Sequence, residues 1–274
     1  MKRTMTISIV TINYNDLIGL KNTVESVLNQ QYSDIEYIII DGGSTDGSKE
    51  FIQQLNDAKI AYRVSERDGG LYDAMNKGLK VATGEYVLFM NSGDRFFKPT
   101  SLKHLADEAK SSHADVIYGS ALYAYPKGYV LRNPQSLKAM SKELPFCHQA
   151  VMVKTSLAKS RPFNTNLRLI ADYDMFYHLW KSGHVFKEVE NIISVYDASG
   201  VSASKANSHR IFEEQCIVHS IEPSEYAYMI ARGKASFRNI VRSIIPVGIR
   251  NKMLGRKQDS LNLLPLEYFN THFN

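Results

Sequence analysis

Short apolar runs that each end in a polar turn constrain this chain more than any other feature. Ile7 to Ile12, Ile35 to Ile40 and Tyr86 to Met90 are dominated by β-branched and other apolar residues. Each is too short for an ordinary buried helix and fits a strand covered on both faces. Ile60 to Val64 is a fourth strand candidate. Between them, Leu17 to Leu28, a segment through Phe51 and Leu55, and Leu71 to Val81 carry apolar residues at helical spacing. Short strands alternating with helices of about 10–15 residues predict an α/β sheet. The turns then gather at the carboxyl edge, where open sheets of this kind form ligand crevices.

Beyond residue 98 the pattern is less regular. Pro99 can open a helix through Leu102 and Leu105, while Val116 to Tyr118, Tyr129 to Leu131 and Ala150 to Val153 read as strands. Leu169 to Trp180 has helical periodicity and stops near Gly183. The small and polar run from Ala198 to Asn207 suggests a boundary near residue 200, dividing a body over 1–200 from a mainly helical, basic extension over 201–274. A chain of 274 residues, 44% of them hydrophobic, can bury a full core. Its two cysteines, Cys147 and Cys216, argue against a disulfide scaffold and favour a reducing compartment. No apolar stretch approaches the roughly 18 residues of a bilayer span, and Thr6 to Val10 reads as a strand rather than a signal peptide. A cytoplasmic location is expected.

The turns carry the chemistry. Asp41-Gly42-Gly43-Ser44-Thr45-Asp46-Gly47 directly follows Ile38-Ile39-Ile40. Asp41 at a strand end can accept a hydrogen bond from a base N–H or a ribose hydroxyl, and Gly42 and Gly43 permit a tight turn and close ligand approach. The same residues also suit a solvated turn that caps a helix. Neither GxGxxG nor GxxxxGK[ST] is present there, which disfavours a dehydrogenase-type dinucleotide site and a P-loop.

Thr11, Asn13 and Tyr14 reach the same edge, Thr11 toward a phosphate or ribose oxygen and Tyr14 beside a base, unless they only pack the turn. In Asp68-Gly69-Gly70-Leu71-Tyr72-Asp73-Ala74-Met75-Asn76-Lys77-Gly78, Asp68 and Asp73 can orient nucleotide or sugar hydroxyls and Asn76 can make a specific nucleotide contact. Asp73 and Lys77 also have the spacing of a helical surface pair. In Asn91-Ser92-Gly93-Asp94, Asp94 can hold Mg²⁺ or Mn²⁺ against diphosphate oxygens, with Asn91 in the nucleotide-facing turn. His148 and Gln149 precede a strand, where His148 can donate to phosphate and Gln149 can read a sugar hydroxyl. Tyr118, Tyr123, Tyr125 and Tyr129 can cover sugar faces, or pack as ordinary aromatics.

Taken in order, these words resemble a family 2 glycosyltransferase with a GT-A fold. The resemblance rests on Ile9-Val10-Thr11-Ile12-Asn13-Tyr14-Asn15, Asp41 to Gly47, Asp73-Ala74-Met75-Asn76-Lys77-Gly78, Ala82-Thr83-Gly84-Glu85-Tyr86, Asn91 to Asp94 and Ala171-Asp172-Tyr173-Asp174. It spans about residues 5–200 and, more narrowly, looks like bacterial transferases that assemble extracellular or capsular polysaccharides. It implies a Rossmann-like, mostly parallel sheet flanked by helices, a nucleotide-sugar donor and inversion at the transferred carbon. By the same resemblance Asp41 contacts base or ribose, Asp94 holds a divalent cation, and Asp172 is the general base for an acceptor hydroxyl. Asp174 serves the helix or the acceptor site. Three positions depart from the family pattern: Gly42 replaces a frequent second aspartate, and Asn91 and Gly93 stand where acids are common. A sugar-phosphate nucleotidyltransferase and a noncatalytic sugar-binding module are the alternatives.

The charge is uneven. Net charge is +5, yet residues 232–257 hold eight Lys and Arg and no acid; without them the balance is 25 basic against 28 acidic. The body therefore has no nucleic-acid-binding character. Phe237, Ile240, Val241, Ile244 and Ile245 have helical spacing bordered by Arg238 and Arg242. That pattern suits peripheral contact with an anionic membrane, and equally a helix covering the body. The expected partners are a nucleotide-sugar and a saccharide or lipid-linked acceptor.

Overall fold

The computed structural model describes residues 5–198, 207–220 and 263–272. The first half runs β1 (Ile7–Asn13), α1 (Leu17–Leu28), β2 (Ile35–Asp41), α2 (Ser48–Gln54), β3 (Ile60–Ser65), α3 (Leu71–Val81), β4 (Tyr86–Phe89) and β5 (Arg95–Phe96). It continues through α4 (Ser101–Ser112), β6 (Val116–Tyr125), β7 (Gly128–Arg132), two 3₁₀ turns (Leu137–Ser141 and His148–Ala150) and β8 (Val151–Lys154). The remaining elements are α5 (Thr155–Ser160), α6 (Ala171–Lys181), β9 (Phe186–Asp197), α7 (Ser208–His219) and α8 (Leu266–His272).

One nine-stranded sheet has the order β3-β2-β1-β4-β8-β6-β9-β5, with β7 paired to β6. The pairs among β3, β2, β1 and β4 are parallel, as is β6 with β9. β8 runs antiparallel between β4 and β6, and β5 and β7 are antiparallel edges. Residues alternate strictly between the two faces. Ile7, Ile9, Tyr37, Ile39, Tyr86 and Leu88 pack with Leu20, Val24 and Leu105 of α1 and α4. Val10, Ile12, Ile38, Ile40, Val87 and Phe89 pack with Met75, Leu79 and Phe176 of α3 and α6. Burying each of these side chains contributes about 1.5–3 kcal/mol, which explains why the strands read as continuous apolar runs.

The expected α/β architecture is present; β5 and α5 are additional short elements, and β6, β9 and α6 also differ from the sequence reading. β6 extends through Tyr125 because its ladder to β9 continues past irregularities at Gly119 and Ser120, the small residues that interrupt its apolar run. β9 was not among the expected strands: its first half, Phe186-Lys187-Glu188-Val189-Glu190-Asn191, is largely exposed and polar. The helix expected over Leu169 to Trp180 starts at Ala171.

The proposed boundary near residue 200 falls in residues 199–206, outside the described residues, as does the basic segment 232–257. The described parts of the expected extension pack on the body. Val218 of α7 joins the core beneath α6, and Phe269 of α8 joins Leu122, Ile192 and Val195. Leu264 bridges to Tyr129 of β7.

Candidate active site

The carboxyl ends of β1, β2 and β4 open onto a cavity of about 780 Å³. Asn13, Tyr14, Asp68 and Asn91 line it, together with Asp16, Gly42, Arg67 and Leu71. Four sequence candidates thus share one cavity. Tyr14 is 69% exposed, which leaves its ring face available.

Thr11, Asp41, Asp73 and Asn76 lie outside that lining, and each has an internal partner. Thr11 is fully buried beside the Tyr37 hydroxyl, at 3.0 Å. Asp41, expected to reach a base or ribose, is fully buried and accepts from Asn13 Nδ2 at 2.7 Å, Ser44 Oγ at 2.5 Å, Ser44 N at 2.9 Å and Ser65 Oγ at 2.6 Å. Burial alone would raise its carboxyl, but these four donors hold it below the usual carboxylate range. Its bonds fix the glycine turn, the capping use that the same residues allow. Asp73 accepts from Gly69 N at 2.8 Å, and Lys77 pairs with Glu66 at 2.8 Å instead of with Asp73. Asn76 makes two bonds with the Phe163 backbone, tying α3 to the segment before α6.

At the end of β4, Asp94 is 4% exposed. Burial and the neighbouring Asp197 carboxylate push its carboxyl up to about 8, against the opposing pull of the Asp197 N–H, Arg95 and the Gln149 side chain. Asp197 N donates to Asp94 Oδ1 at 2.8 Å. Asn91 Oδ1 is buried with no hydrogen-bond partner among the described residues. Oxygen donors of this kind suit a hard divalent cation. Among the described residues no group of three or more His, Cys, Asp or Glu side chains could hold a metal ion.

Asp172, in the first turn of α6, has a side chain 22% exposed. His148 Nδ1 lies 3.2 Å from its Oδ2, and the Tyr72 hydroxyl donates to its Oδ1 at 3.2 Å. Burial raises this carboxyl, but the His148 and Tyr72 bonds and the Tyr173 N–H prevail and keep it below the usual carboxylate range. His148 is held among Phe89, Phe163 and Phe176 at centroid distances of 5.6, 5.8 and 6.0 Å, and its buried Nε2 has no partner among the described residues. Expected to meet phosphate, it meets Asp172. Its neighbour Gln149 interacts with Asp94. One 3₁₀ turn therefore touches both carboxylates. Burial, with smaller contributions from the Asp94 and Asp172 charges, pushes the thiol of Cys147, just before it, up to about 12, which disfavours the thiolate.

Asp174 faces elsewhere. It is 5% exposed and held by Arg161 and His178, each at 3.4 Å, so it braces α6. Tyr118 stacks on Phe146 in the core, and Tyr123 packs against Tyr196. Three residues given no role in the sequence reading shape the site: Tyr72, Asp197 and Glu214. Glu214 on α7 accepts from Arg168 N, Leu169 N and Ile170 N at 2.9, 2.9 and 3.2 Å, fixing the backbone immediately before α6. Tyr72 lay within a quoted motif, whereas Asp197 and Glu214 carry no local signal.

Residues 8–168 match the model of glycosyl transferase family 2. An uncharacterized glycosyltransferase of Mycobacterium tuberculosis is 47% identical over 95 residues, 34% of this chain and 36% of the relative. A PGL/p-HBAD biosynthesis glycosyltransferase of Mycobacterium bovis is 28% identical over 173 residues, 61% of this chain and 66% of the relative. The matched regions thus span from about a third to two thirds of these relatives. TarS of S. aureus in complex with UDP-GlcNAc superimposes with TM-score 0.65 at 19% identity, covering 78% of this chain and 65% of TarS. A mannosyltransferase of Pyrobaculum calidifontis, in complex with GDP-Man and Mn²⁺, gives 0.58 at 16% identity, covering 98% and 84%. Those two likenesses establish the shared fold. With the family model matching more than half of its length, the chain belongs to glycosyl transferase family 2.

Proposed function

We propose that this protein transfers a sugar from a nucleoside diphosphate donor to a hydroxyl of a saccharide or lipid-linked saccharide acceptor, with inversion at the transferred carbon. The observation that supports the reading is the turn of His148 and Gln149, where the His148 ring lies 3.2 Å from the Asp172 carboxylate and the Gln149 side chain neighbours Asp94. Transfer needs a base at one end of the reacting bond and charge stabilisation at the other. The nucleotide occupies the cavity lined by Tyr14, Asp68 and Asn91.

Asp172, kept ionised by His148 and Tyr72, takes the proton of the acceptor hydroxyl. The freed oxygen attacks the anomeric carbon from the face opposite the diphosphate, which departs toward Asp94. A divalent cation held by Asp94, with Asn91 and Asp197 beside it, supplies Lewis-acid stabilisation of that diphosphate when bound. The relatives' names and the neighbours' bound UDP-GlcNAc and GDP-Man support a nucleotide-sugar donor. No helix among the described residues is long and apolar enough to cross a membrane. The basic segment 232–257 is read as a peripheral contact with an anionic bilayer on the cytoplasmic side, where a lipid-linked acceptor is presented.

A panel of UDP-, GDP- and TDP-sugars offered with lipid-linked acceptors, with and without Mn²⁺, tests the reading. One donor should add one sugar mass to the acceptor. Release of sugar to water alone, or no consumption of any donor, would reject it.

A further inference from the structure

Along α1 a polar stripe borders the apolar one. Thr23, Ser26 and Gln30 recur at helical spacing, and Thr23 and Gln30 are buried. Each side chain is spent on the segment that follows β4. Gln30 Nε2 donates to the Lys98 carbonyl at 2.9 Å, and its Oε1 accepts from Leu102 N at 3.0 Å. Ser26 Oγ accepts from Phe96 N at 3.3 Å. Thr23 Oγ1 lies 2.6 Å from the Asp94 carbonyl, 3.0 Å from that of Gly19 and 3.2 Å from that of Asn91. A hydroxyl has one proton to give, and the shortest contact assigns it to Asp94.

The receiving segment is a tight turn. Asp94 N donates to the Asn91 carbonyl at 3.0 Å, and Gly93, with φ +91°, supplies the left-handed step. Ser92 ties the turn to β1, its N–H reaching the Ile12 carbonyl at 3.0 Å and its hydroxyl Asn13 Oδ1 at 2.8 Å. α1 lies so close that a Cβ at Gly19 would stand 2.7 Å from Gly93 N. The main chain of Asp94 is thus held at both its N–H and its carbonyl, while its carboxylate accepts from Asp197 N.

We propose that Thr23 is a positioning residue for the reaction, its hydroxyl fixing where the Asp94 carboxylate stands. The inference rests on the proposed function, which sets Asp94 at the leaving-group end. Valine has nearly the same shape and would fill the same buried space, so packing alone does not call for a hydroxyl at position 23. Charge stabilisation at a leaving group depends on groups already in place before the bond breaks. Ser26 and Gln30 fasten the chain farther on, which leaves Thr23 as the member of the stripe that bears directly on Asp94.

Two measurements on the full chain test this: steady-state transfer with the donor and acceptor that the wild type accepts, and hydrogen exchange of the unliganded protein followed by mass spectrometry. Thr23→Val keeps the shape and loses the donor. Its kcat should fall roughly 10–100-fold, the scale of a small misplacement at the reacting centre, with little change in donor KM. Amides of residues 91–97 should exchange faster. Thr23→Ser returns the hydroxyl and should recover most of both effects. Val24→Ala loosens the same helix from its apolar side, and should lower the melting temperature without a comparable loss of kcat. Should Thr23→Val not fold, Gly19→Ala carries the same expected loss, because it keeps the hydroxyl but wedges α1 away from the turn. Unchanged kcat or exchange, equal losses in Thr23→Ser and Thr23→Val, or an equal loss in Val24→Ala would overturn the inference and leave the proposed function standing. A wild type that consumed no donor would remove the proposed function, and this inference with it.

Discussion

Nδ1 of His148 stands 3.2 Å from Oδ2 of Asp172, and among the described residues no second polar group engages the other ring nitrogen. The imidazole is wedged among three phenylalanine rings, and among the described residues its polar partner is the carboxylate. It acts as a fixed donor that orients Asp172 and favours its charged form.

Replacing that donor gives a signed pH effect. The Asp172 carboxyl lies below its ordinary range because the His148 and Tyr72 bonds prevail over burial. A base with a lowered pKa stays ionised as pH falls, so the acid limb of kcat should lie on the low side. His148→Phe keeps an aromatic ring but removes the donor, leaving burial less opposed. The limb should move to higher pH, with lower activity in mildly acidic buffer and partial recovery as pH rises. A pH–kcat profile of both proteins checks this; superimposable limbs would remove His148 from its positioning role.

At the leaving-group end, Asp94→Asn keeps an acceptor for the Asp197 N–H while removing the charge that would hold a cation. Mn²⁺ should then lose affinity for the nucleotide-bound protein, seen by electron paramagnetic resonance in the presence of UDP. The fold should persist, because an amide fills the same buried space. Unchanged Mn²⁺ binding would place the cation elsewhere.

Glu214 should matter to turnover without touching the donor. Its three backbone contacts at residues 168–170 fix the approach to the helix that carries Asp172. Glu214→Ala leaves these N–H groups without that acceptor, at a cost of about 1–3 kcal/mol for a buried hydrogen-bonding group. The melting temperature should fall, and kcat should fall more than donor affinity. A loss of donor binding with kcat intact would contradict this.

These contacts show how much a single sequence can reveal. The strand-end turns were legible because β1, β2 and β4 each carry their apolar run and polar word in one continuous stretch. The use of Asp41 was not, since Asn13 and Ser65 reach it from the ends of β1 and β3, beside Ser44 of its own turn. Asp197 meets Asp94 across 103 positions, and Glu214 meets Arg168 across 46. Periodicity reports a residue's own element, whereas these partners follow from how elements pack. β9 escaped notice for a related reason: its polar half pairs with β6 while facing solvent.

The basic segment gives a prediction that sequence charge alone supports. Because Leu264 and Phe269 pack on the body, charge changes within the full chain are a cleaner test than truncation. Arg238, Arg242, Arg250 and Arg256 replaced together by Gln should abolish sedimentation with anionic vesicles while sparing the fold. Each basic group near such a surface contributes about 1 kcal/mol. Equal binding of both proteins to neutral and anionic vesicles would remove the membrane role.

The most direct test of the account is single-turnover transfer by the wild type and by Asp172→Asn, both saturated with the accepted donor and acceptor. The wild type should yield a glycoside of inverted anomeric configuration by NMR. The variant should bind donor with near-normal affinity and transfer about 10²–10⁴-fold more slowly, the usual scale for a lost general base. Transfer at the wild-type rate, or a product with retained configuration, would contradict it.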